Sequence, residues 1–305
     1  MIRETIKNNV YPTIAELLNN KAIRMTSHLI PIKNKNGLKY IYVREFSPLN
    51  PTKTILMGHA MFCQGNYLCR KNVPSLTSCL LEKNCQVFVP DLRAHGESCD
   101  YASWNIDDLI QDIGQTLSFI QTLSPLPLFL VGHSLSGILY LVQQSLTANK
   151  GVKGIVTIGA APWNRSLISE LKRSYYLKIR LITFFIKVVT KVYGCMPARK
   201  FKLGSADECK EVLNQLVFDN FYKNQFLSTS GQINYMEWLK NITTPLLCLT
   251  SKNDLFACQQ HVENFVETIQ NKEFITVEKS SHMALAASSD NWEVWNEVFM
   301  WVDKQ

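Results

Sequence analysis

The stretch LFLVGHSLSGIL, from Leu128 to Leu139, places a short polar turn between two apolar runs. The first run has the length and composition of a buried strand, and the second continues as SGILYLVQQSLT with helical spacing. Ser134 lies in the turn and fits the template G-x-S-x-G except at Ser136, where a glycine is expected. Two interpretations follow: Ser134 is a nucleophile on a sharp strand-to-helix turn, or it is an ordinary loop serine.

Short apolar runs alternate with helical patterns on both sides of this turn. Runs typical of strands occupy residues 27–32, 39–46, 54–60, 86–91, 128–132, 154–160, 244–251 and 274–280. Helical patterns occupy residues 73–84, 106–123, 136–147, 259–270 and 292–302. Since short strands that alternate with helices form parallel sheets with both faces covered, we expect an α/β fold with a mostly parallel central sheet flanked by helices.

The alternation is interrupted once, between residues 163 and 240, where the patterns are helical throughout. The core is therefore expected to comprise residues 1–162 and 241–305, with residues 163–240 forming a helical insertion. Residues 1–22 are expected to be a helical lead-in to the core.

Composition and cysteine usage limit the class of protein. The 305 residues are 46% hydrophobic and 19% charged, which is typical of a globular chain with a large core. The nine cysteines include no C-x-x-C pair, and the N-terminal sequence has no apolar segment typical of a secretory signal. No apolar run approaches the ~18 residues of a membrane span. We therefore expect a cytoplasmic protein with free thiols.

Three residues with catalytic potential follow three different predicted strands. Ser134 follows LFLVG, Asp254 follows PLLCLT, and His282 follows FITVEKS. Because ligands bind beyond the carboxyl ends of the strands in open α/β sheets, these side chains are expected to meet at one edge. A histidine that accepts the serine proton, oriented by a carboxylate, makes a weakly nucleophilic hydroxyl able to attack an acyl carbon.

Four motifs in this order resemble those of the α/β-hydrolase family, particularly its monoacylglycerol lipases and serine aminopeptidases. The four are the nucleophile elbow GHSLSG (132–137), the upstream turn DLRAHGES (91–98), the acid loop SKNDLFA (251–257) and the histidine loop SSHMAL (280–285). The insertion lies where this family has its cap, or lid. The resemblance implies an α/β-hydrolase fold with a catalytic triad of Ser134, Asp254 and His282.

The resemblance also implies an oxyanion hole built from two backbone amides. The expected donors are Leu135, directly after the nucleophile, and Met61, in a segment GHAMF that departs from the usual His-Gly start. Phe62, His133 and Met283 lie next to these groups in the sequence and are expected to contact the substrate.

Other groups give weaker signals. Asp290 is a rival for the acid, but it lies beyond His282 and breaks the family's chain order. No H-x-x-H, H-E-x-x-H or Cys/His cluster has the spacing of metal ligands, and no P-loop or helix-opening G-x-G-x-x-G predicts a nucleotide site. The site is therefore expected to use no metal and no cofactor.

The insertion carries the basic charge of the chain. The net charge is +7, and residues 163–205 hold ten basic residues against Glu170 alone. An apolar stripe recurs there at helical spacing: Leu177, Leu181, Phe184, Phe185, Val188 and Val192. Either the stripe packs on the core beside snorkelling lysines, or it forms a substrate tunnel or a surface that contacts anionic membranes. A basic cap would also suit an acidic substrate, whereas no motif indicates nucleic acid.

These features together predict a serine hydrolase that cleaves a carboxylic ester through an acyl-enzyme on Ser134. A hydrophobic or lipid-like acyl group is the expected substrate, as a small molecule or a lipid. The same triad would serve a thioesterase, an acyltransferase or a peptidase, and a hydrolase-fold protein that only binds a ligand is the alternative from a different class. The sequence does not indicate the oligomeric state.

Overall fold

The computed structural model describes residues 11–19, 23–34, 37–99 and 102–305. Within the expected lead-in, helix α1 spans Ile14–Asn19 and packs against the first strand. The remainder of the lead-in up to residue 10, and residues 20–22, lie outside the described residues. The fully buried Ile14 anchors α1 to the core.

The strands form a mostly parallel sheet. In chain order they are β1 (Ile23–Asn34), β2 (Gly37–Pro48), β3 (Lys53–Gly58), β4 (Cys85–Pro90), β5 (Leu128–His133), β6 (Val152–Ile158), β7 (Cys195–Met196), β8 (Glu208–Cys209), β9 (Leu246–Ser251) and β10 (Lys272–Val277). Eight of them form one sheet in the order β1-β2-β4-β3-β5-β6-β9-β10. Strand β2 pairs antiparallel with β1 and β4, and the other five pairings are parallel. The α/β-hydrolase fold expected from the sequence is therefore confirmed.

Helices cover both faces of this sheet, and further helices lie in the insertion. In chain order after α1 they are α2 (Leu76–Glu82), α3 (Ile106–Leu123), α4 (Leu135–Thr147), α5 (Arg165–Ser169), α6 (Arg173–Tyr193), α7 (Lys210–Leu213), α8 (Tyr235–Trp238), α9 (Gln259–Phe265), α10 (His282–Ala287) and α11 (Trp292–Lys304). Side chains alternate along the buried strands, so that Leu130 of β5 packs with α3 and α4 while Val131 packs with α2 and α11. Each face thus buries its own apolar core.

The insertion is not helical throughout. Short strands β7 and β8 pair as an antiparallel ribbon between α6 and α7, in which the free cysteines Cys195 and Cys209 lie opposite each other. A π-helix, Asn214–Lys223, continues from α7. Near the end of the insertion, Tyr235 and Leu239 pack into the same core cluster as α4. The insertion therefore rests on the core through several elements.

Helix α6 turns its apolar stripe outward. Val192 is 72% exposed, Leu181 68% and Phe184 60%, so the stripe does not pack on the core. The helix packs instead through its opposite face, which includes Thr183 and Val189. Of the interpretations left open by the sequence, burial of this stripe in the core is wrong. Neither α6 nor any other helix in the described ranges has the apolar length that crossing a membrane requires.

Candidate active site

Ser134 lies on a strained turn between β5 and α4. Its backbone has φ 52° and ψ −112°, in a region that residues other than glycine rarely adopt. The amide of Ser134 donates a hydrogen bond of 2.9 Å to the carbonyl of Ile158 at the end of β6. Strain of this kind costs about 1–3 kcal/mol and is concentrated at functional sites, because the surrounding structure must hold it.

The turn depends on small neighbours. A Cβ on Gly132 would lie 2.5 Å from the amide nitrogen of Gly137, and a Cβ on Gly137 would lie 2.6 Å from the Cβ of Ala160. Both separations are too short for real carbon atoms, so glycine is required at both positions. Strand β5 and helix α4 therefore pass in direct backbone contact.

Ser136 occupies the position where the motif has a glycine, and a glycine lies opposite it. A Cβ on Gly58, at the end of β3, would lie 2.4 Å from the Cβ of Ser136. The hydroxyl of Ser136 donates a hydrogen bond of 2.6 Å to the carbonyl of His59. The serine is thus accommodated because Gly58 has no side chain, a relationship between distant residues that sequence reasoning missed.

His282 and Asp254 form a buried pair. The Nδ1 atom of His282 lies 2.7 Å from Oδ2 of Asp254, whose side chain is fully buried. The other carboxylate oxygen accepts hydrogen bonds from the amides of Phe256 and Ala257, at 2.8 and 3.0 Å. These bonds fix the carboxylate, which in turn fixes the imidazole and leaves its Nε2 available. The rival Asp290 is exposed and accepts a hydrogen bond from Ser288 instead.

Gly159 packs directly against this pair. Its φ is 54°, and a Cβ there would lie 2.9 Å from Oδ2 of Asp254 and 3.2 Å from Nδ1 of His282. The residue was not singled out from the sequence, although it directly follows the strand GIVTI (154–158), where a glycine with positive φ would end the strand. Its role comes from contacts with two loops far away in the chain.

The two residues expected to supply the oxyanion donors lie beside the cavity. Met61 and Leu135 both line the cavity above Ser134. The neighbouring amides are occupied, since Ala60 donates to the Tyr67 hydroxyl at 3.1 Å and Ser134 donates to Ile158. In the part of the chain that the structure describes, no hydrogen bond engages the amide of Met61 or Leu135. An oxyanion can therefore be received by this pair without breaking an existing bond.

His133 is buried beneath the site and does not line the cavity. Its Nε2 lies 3.0 Å from the carbonyl of His282, and its Nδ1 lies 2.5 Å from the Tyr67 hydroxyl. Burial, together with the nearby His282, holds the pKa of His133 well below its ordinary value, so the ring is neutral. Because Nε2 faces a carbonyl, it must carry the proton, and Nδ1 accepts from Tyr67. The expected substrate contact of His133 is thus replaced by hydrogen bonds within the protein.

This arrangement links the two halves of the site. The amide of Ala60 donates to Tyr67, Tyr67 donates to His133, and His133 donates to the carbonyl of His282. Burial raises the pKa of Tyr67 well above its usual range, so its hydroxyl keeps the proton that it donates to His133. The segment with Met61 and the loop with His282 are therefore joined by a continuous set of hydrogen bonds.

Ser134 and His282 open into an apolar cavity of about 530 Å³. The core contributes Ile138, Ala161 and Phe256 to its wall, and the insertion contributes Ile182, Ile186 and Leu216. Phe62 and Met283, both expected to contact the substrate, also lie in this wall. No Asp, Glu, Lys or Arg side chain of the described residues lines the cavity.

Hydrogen bonds join the insertion to the segment that carries Met61. The amide of Ala206 donates a hydrogen bond of 2.9 Å to the carbonyl of Phe62, which has a φ of 63°. Gln64 donates from its side chain to the carbonyl of Ser205 at 2.9 Å. A Cβ on Gly204 would lie 2.2 Å from the Phe62 carbonyl oxygen. The loop 204–206 therefore supports the segment from above.

No group of three or more His, Cys, Asp or Glu side chains within the described ranges is arranged to hold a metal ion. The polar residues beneath the cavity are instead engaged with one another. Asp91 accepts hydrogen bonds from the amides of Gly65 and Glu97, and Arg93 binds the carboxylate of Asp112 at 2.6 and 2.8 Å. These contacts hold the loop after β4 in place.

Comparisons with known proteins agree with this architecture. The family model described as serine aminopeptidase, S33, matches residues 69–288. A stretch of 103 residues, 33% of this chain, is 27% identical to protein phosphatase methylesterase 1 of Candida albicans and spans only 29% of that protein. A bromoperoxidase from Bacillus anthracis is similar in structure, with 16% identity, coverage of 92% of this chain and all of that one, and a TM-score of 0.62. An esterase from Exiguobacterium antarcticum shares 17% identity over 90% of this chain and 99% of its own, with a TM-score of 0.58.

Proposed function

Since this chain belongs to the serine aminopeptidase S33 family of hydrolases, with the α/β-hydrolase fold, we propose that it cleaves carboxylic esters with a hydrophobic acyl group. The observation that carries the proposal is the buried pair of His282 and Asp254, 2.7 Å apart, which opens with Ser134 into one apolar cavity. A buried carboxylate with its imidazole beside a strained serine is the arrangement that activates a nucleophilic hydroxyl.

In the first step, the Ser134 oxygen attacks the ester carbonyl while His282 accepts its proton at Nε2. The carboxylate of Asp254 keeps the imidazole in the tautomer that carries its proton on Nδ1, so that Nε2 is free to accept the serine proton. It also stabilises the imidazolium that forms. The amides of Met61 and Leu135 donate to the carbonyl oxygen as it becomes negative. His282 then returns the proton to the departing alkoxide, leaving an acyl group on Ser134.

In the second step, water attacks the acyl-enzyme. His282 accepts a proton from water, and the same two amides receive the second oxyanion. Collapse of this intermediate releases the carboxylic acid and returns the proton to Ser134. Fixed amides and a fixed imidazole serve both steps, because each step passes through a similar tetrahedral intermediate.

The cavity wall favours an acyl ester over a peptide. Its side chains are apolar apart from Ser134, His282 and Cys63. A substrate with a free amino group would need an acidic partner, and no Asp or Glu of the described residues lines the wall. The volume of about 530 Å³ lies within the range of sites that enclose a small hydrophobic ligand. Apolar acyl chains are therefore the best match.

Covalent labelling tests the nucleophile. A fluorophosphonate probe is expected to label the wild-type protein and not Ser134→Ala, and the same change is expected to lower kcat for an ester by about 10⁶-fold. Ser118→Ala, which alters an exposed serine of α3, is the matched control and should be labelled like wild type. Folded wild-type protein that takes no label would favour a binding protein with a hydrolase fold, and labelling of Ser134→Ala would assign the reaction to another residue.

A series of p-nitrophenyl esters tests the substrate class. We expect kcat/KM to rise from acetate to octanoate, because the burial of each added methylene in the cavity contributes about 0.8 kcal/mol of favourable free energy. Aminoacyl p-nitroanilides and acyl thioesters of the same length serve as the comparison. A preference for acetate would exclude a hydrophobic acyl substrate, and faster cleavage of the anilides would indicate a peptidase.

A further inference from the structure

The insertion carries an exposed apolar surface next to the cavity. We call it the cap surface; it comprises Leu177, Leu181, Phe184, Phe185, Val188 and Val192 of α6, with Phe201 and Leu203 of the following loop. Phe201 extends the helix surface into the loop, since its ring lies 6.1 Å from the rings of Phe185 and Tyr193. A continuous apolar patch of this kind on a solvent-exposed face is typical of an interaction site.

Helix α6 carries apolar side chains on both sides, since its inner face buries Ile179, Ile186 and Val189. Its inner face buries Thr183 and Thr190, which are 0% and 2% exposed. Neither threonine hydroxyl has a hydrogen-bond partner among the described residues. Packing on the core therefore accounts for the inner face of the helix and not for the exposed outer stripe. The exposed stripe is therefore available for a contact outside this chain.

Basic side chains border the cap surface. With 3.6 residues per turn, Arg180, Lys187 and Lys191 lie along one side of the stripe and Lys178 along the other. Lys187 lies over the ring of Tyr222 at 4.1 Å, which keeps its charge at the edge of the apolar stripe. Helix α6 contains no acidic residue. An apolar stripe bordered by cations matches an anionic surface with an apolar interior.

The cap surface is continuous with the cavity. Leu181, Phe185 and Leu203 belong to both, since each is exposed on the outside and also lines the wall above Ser134. A molecule with a long apolar chain could therefore pass from an apolar layer beneath the cap into the cavity without crossing water. This connection makes a lipid layer a better match than a polar protein surface.

We propose that the cap surface binds the surface of a membrane that contains anionic lipids, with α6 lying in the plane of the interface. Phenylalanine and leucine side chains insert below the headgroups, and the bordering lysines and arginines contact the anionic headgroups. A second copy of this chain is a poor occupant, because residues 163–205 carry ten basic residues against one acidic residue and would face their own charge. The proposal goes beyond the proposed function and concerns binding alone.

Sedimentation with vesicles tests this proposal. Full-length protein is mixed with vesicles of phosphatidylcholine alone or of phosphatidylcholine with phosphatidylglycerol. Wild type should bind the anionic vesicles more tightly, and raised salt should weaken that binding. Phe184→Ser with Val192→Ser should lower the partition coefficient more than tenfold, because both side chains insert into the interface. Lys187→Gln with Lys191→Gln should lower it by roughly fivefold per lysine on anionic vesicles only.

Matched controls separate the cap surface from general stickiness. Leu49→Ser with Met300→Ser alters apolar residues that are 80% and 54% exposed elsewhere, and it should bind like wild type. Ser134→Ala should also bind like wild type, whereas Phe184→Ser with Val192→Ser should hydrolyse a soluble ester normally. Loss of catalysis and loss of membrane binding are thereby distinguished.

Three results would overturn the proposal. The first is wild-type protein that does not bind anionic vesicles. The second is binding that neither pair of cap substitutions changes. The third is self-association of wild type without lipid that Phe184→Ser with Val192→Ser abolishes, which would make the cap surface an interface between copies of this chain.

Discussion

The hydroxyl of Ser136 donates a hydrogen bond of 2.6 Å to the backbone carbonyl of His59. The bond joins the turn that carries Ser134 to the segment that carries Met61. His59 is also held from its ring, because Nε2 accepts a hydrogen bond of 3.0 Å from the amide of Leu92. The residue that departs from the elbow motif is therefore a direct link between the turn of Ser134, the proposed nucleophile, and the segment expected to supply an oxyanion donor.

Ser136→Gly should leave the fold intact and slow catalysis. The change restores the motif, but it removes the hydrogen bond to His59 and loosens the position of Met61. One neutral hydrogen bond contributes about 0.5–1.5 kcal/mol, so kcat for a soluble ester should fall by roughly 3–10-fold with little change in KM. Steady-state kinetics and thermal melting measure the two effects.

The contrasting variant is Ser136→Val, whose larger side chain has no room beside Gly58. It should lower Tm as well as kcat, because a Cβ-branched residue would press on strand β3. Unchanged kcat in Ser136→Gly would show that the hydrogen bond to His59 does not position the oxyanion segment.

The sequence predicted the eight strands of the main sheet and the long helices that cover it, but not the β7–β8 ribbon of the insertion. It also predicted that Ser134, Asp254 and His282 follow three different strands of that sheet. These features depend on local periodicity and on which residues follow each strand, and both can be read within a short window. The direction in which α6 turns its stripe could not be read, because periodicity defines a face and not the partner of that face. The contacts of Gly159 and Tyr67 were also missed, since they join segments more than 60 residues apart in the chain.

Gly159→Ala should impair catalysis beyond its effect on stability. The new Cβ would lie 2.9 Å from Asp254 and 3.2 Å from His282, so the pair must move apart or rotate. A displacement of about 1 Å at reacting groups can cost on the order of 100-fold, and we expect a loss of kcat of that size. Ester kinetics and thermal melting are measured on the same preparation.

Gly194→Ala is the matched control for this variant. Gly194 has a φ of 75°, and no atom lies within 4 Å of the added Cβ. Both variants pay the same backbone strain of about 1–2 kcal/mol, and only Gly159→Ala disturbs the site. Equal kcat in the two variants would show that the contact of Gly159 with the histidine and acid pair is unimportant.

Asp254→Asn should lower kcat by about 10⁴-fold while the protein stays folded. The amide cannot hold His282 in the tautomer that leaves Nε2 free to accept a proton. The amides of Phe256 and Ala257 can still donate to the remaining side-chain oxygen, which keeps the loop in place. Asp290→Asn, at the rival position, should leave kcat unchanged. The opposite ranking of the two variants would assign the acid to Asp290.

Glu208→Gln should destabilise the protein most at low pH. His95 and Glu208 are fully buried, with Nε2 and Oε2 3.5 Å apart, and they join the loop after β4 to the insertion. Burial lowers the pKa of His95, but Glu208 and the Arg93 carbonyl raise it more, so the net pKa lies above its ordinary value. A raised histidine pKa stabilises the folded state below the unfolded value of about 6.5, and that contribution is lost as pH rises through the folded pKa.

The difference in Tm between wild type and Glu208→Gln should therefore be larger at pH 6 than at pH 9. We expect the loss at pH 6 to correspond to about 1–3 kcal/mol, since the protonated imidazole loses its buried partner. The adjacent His59 does not interfere, because burial and the neighbouring His95 lower its pKa to about 4. Asp219→Asn, which removes the more exposed pair with Lys223 in the insertion, should show little change at either pH. An equal loss of Tm at pH 6 and pH 9 would show that the charge of His95 does not hold the insertion to the core.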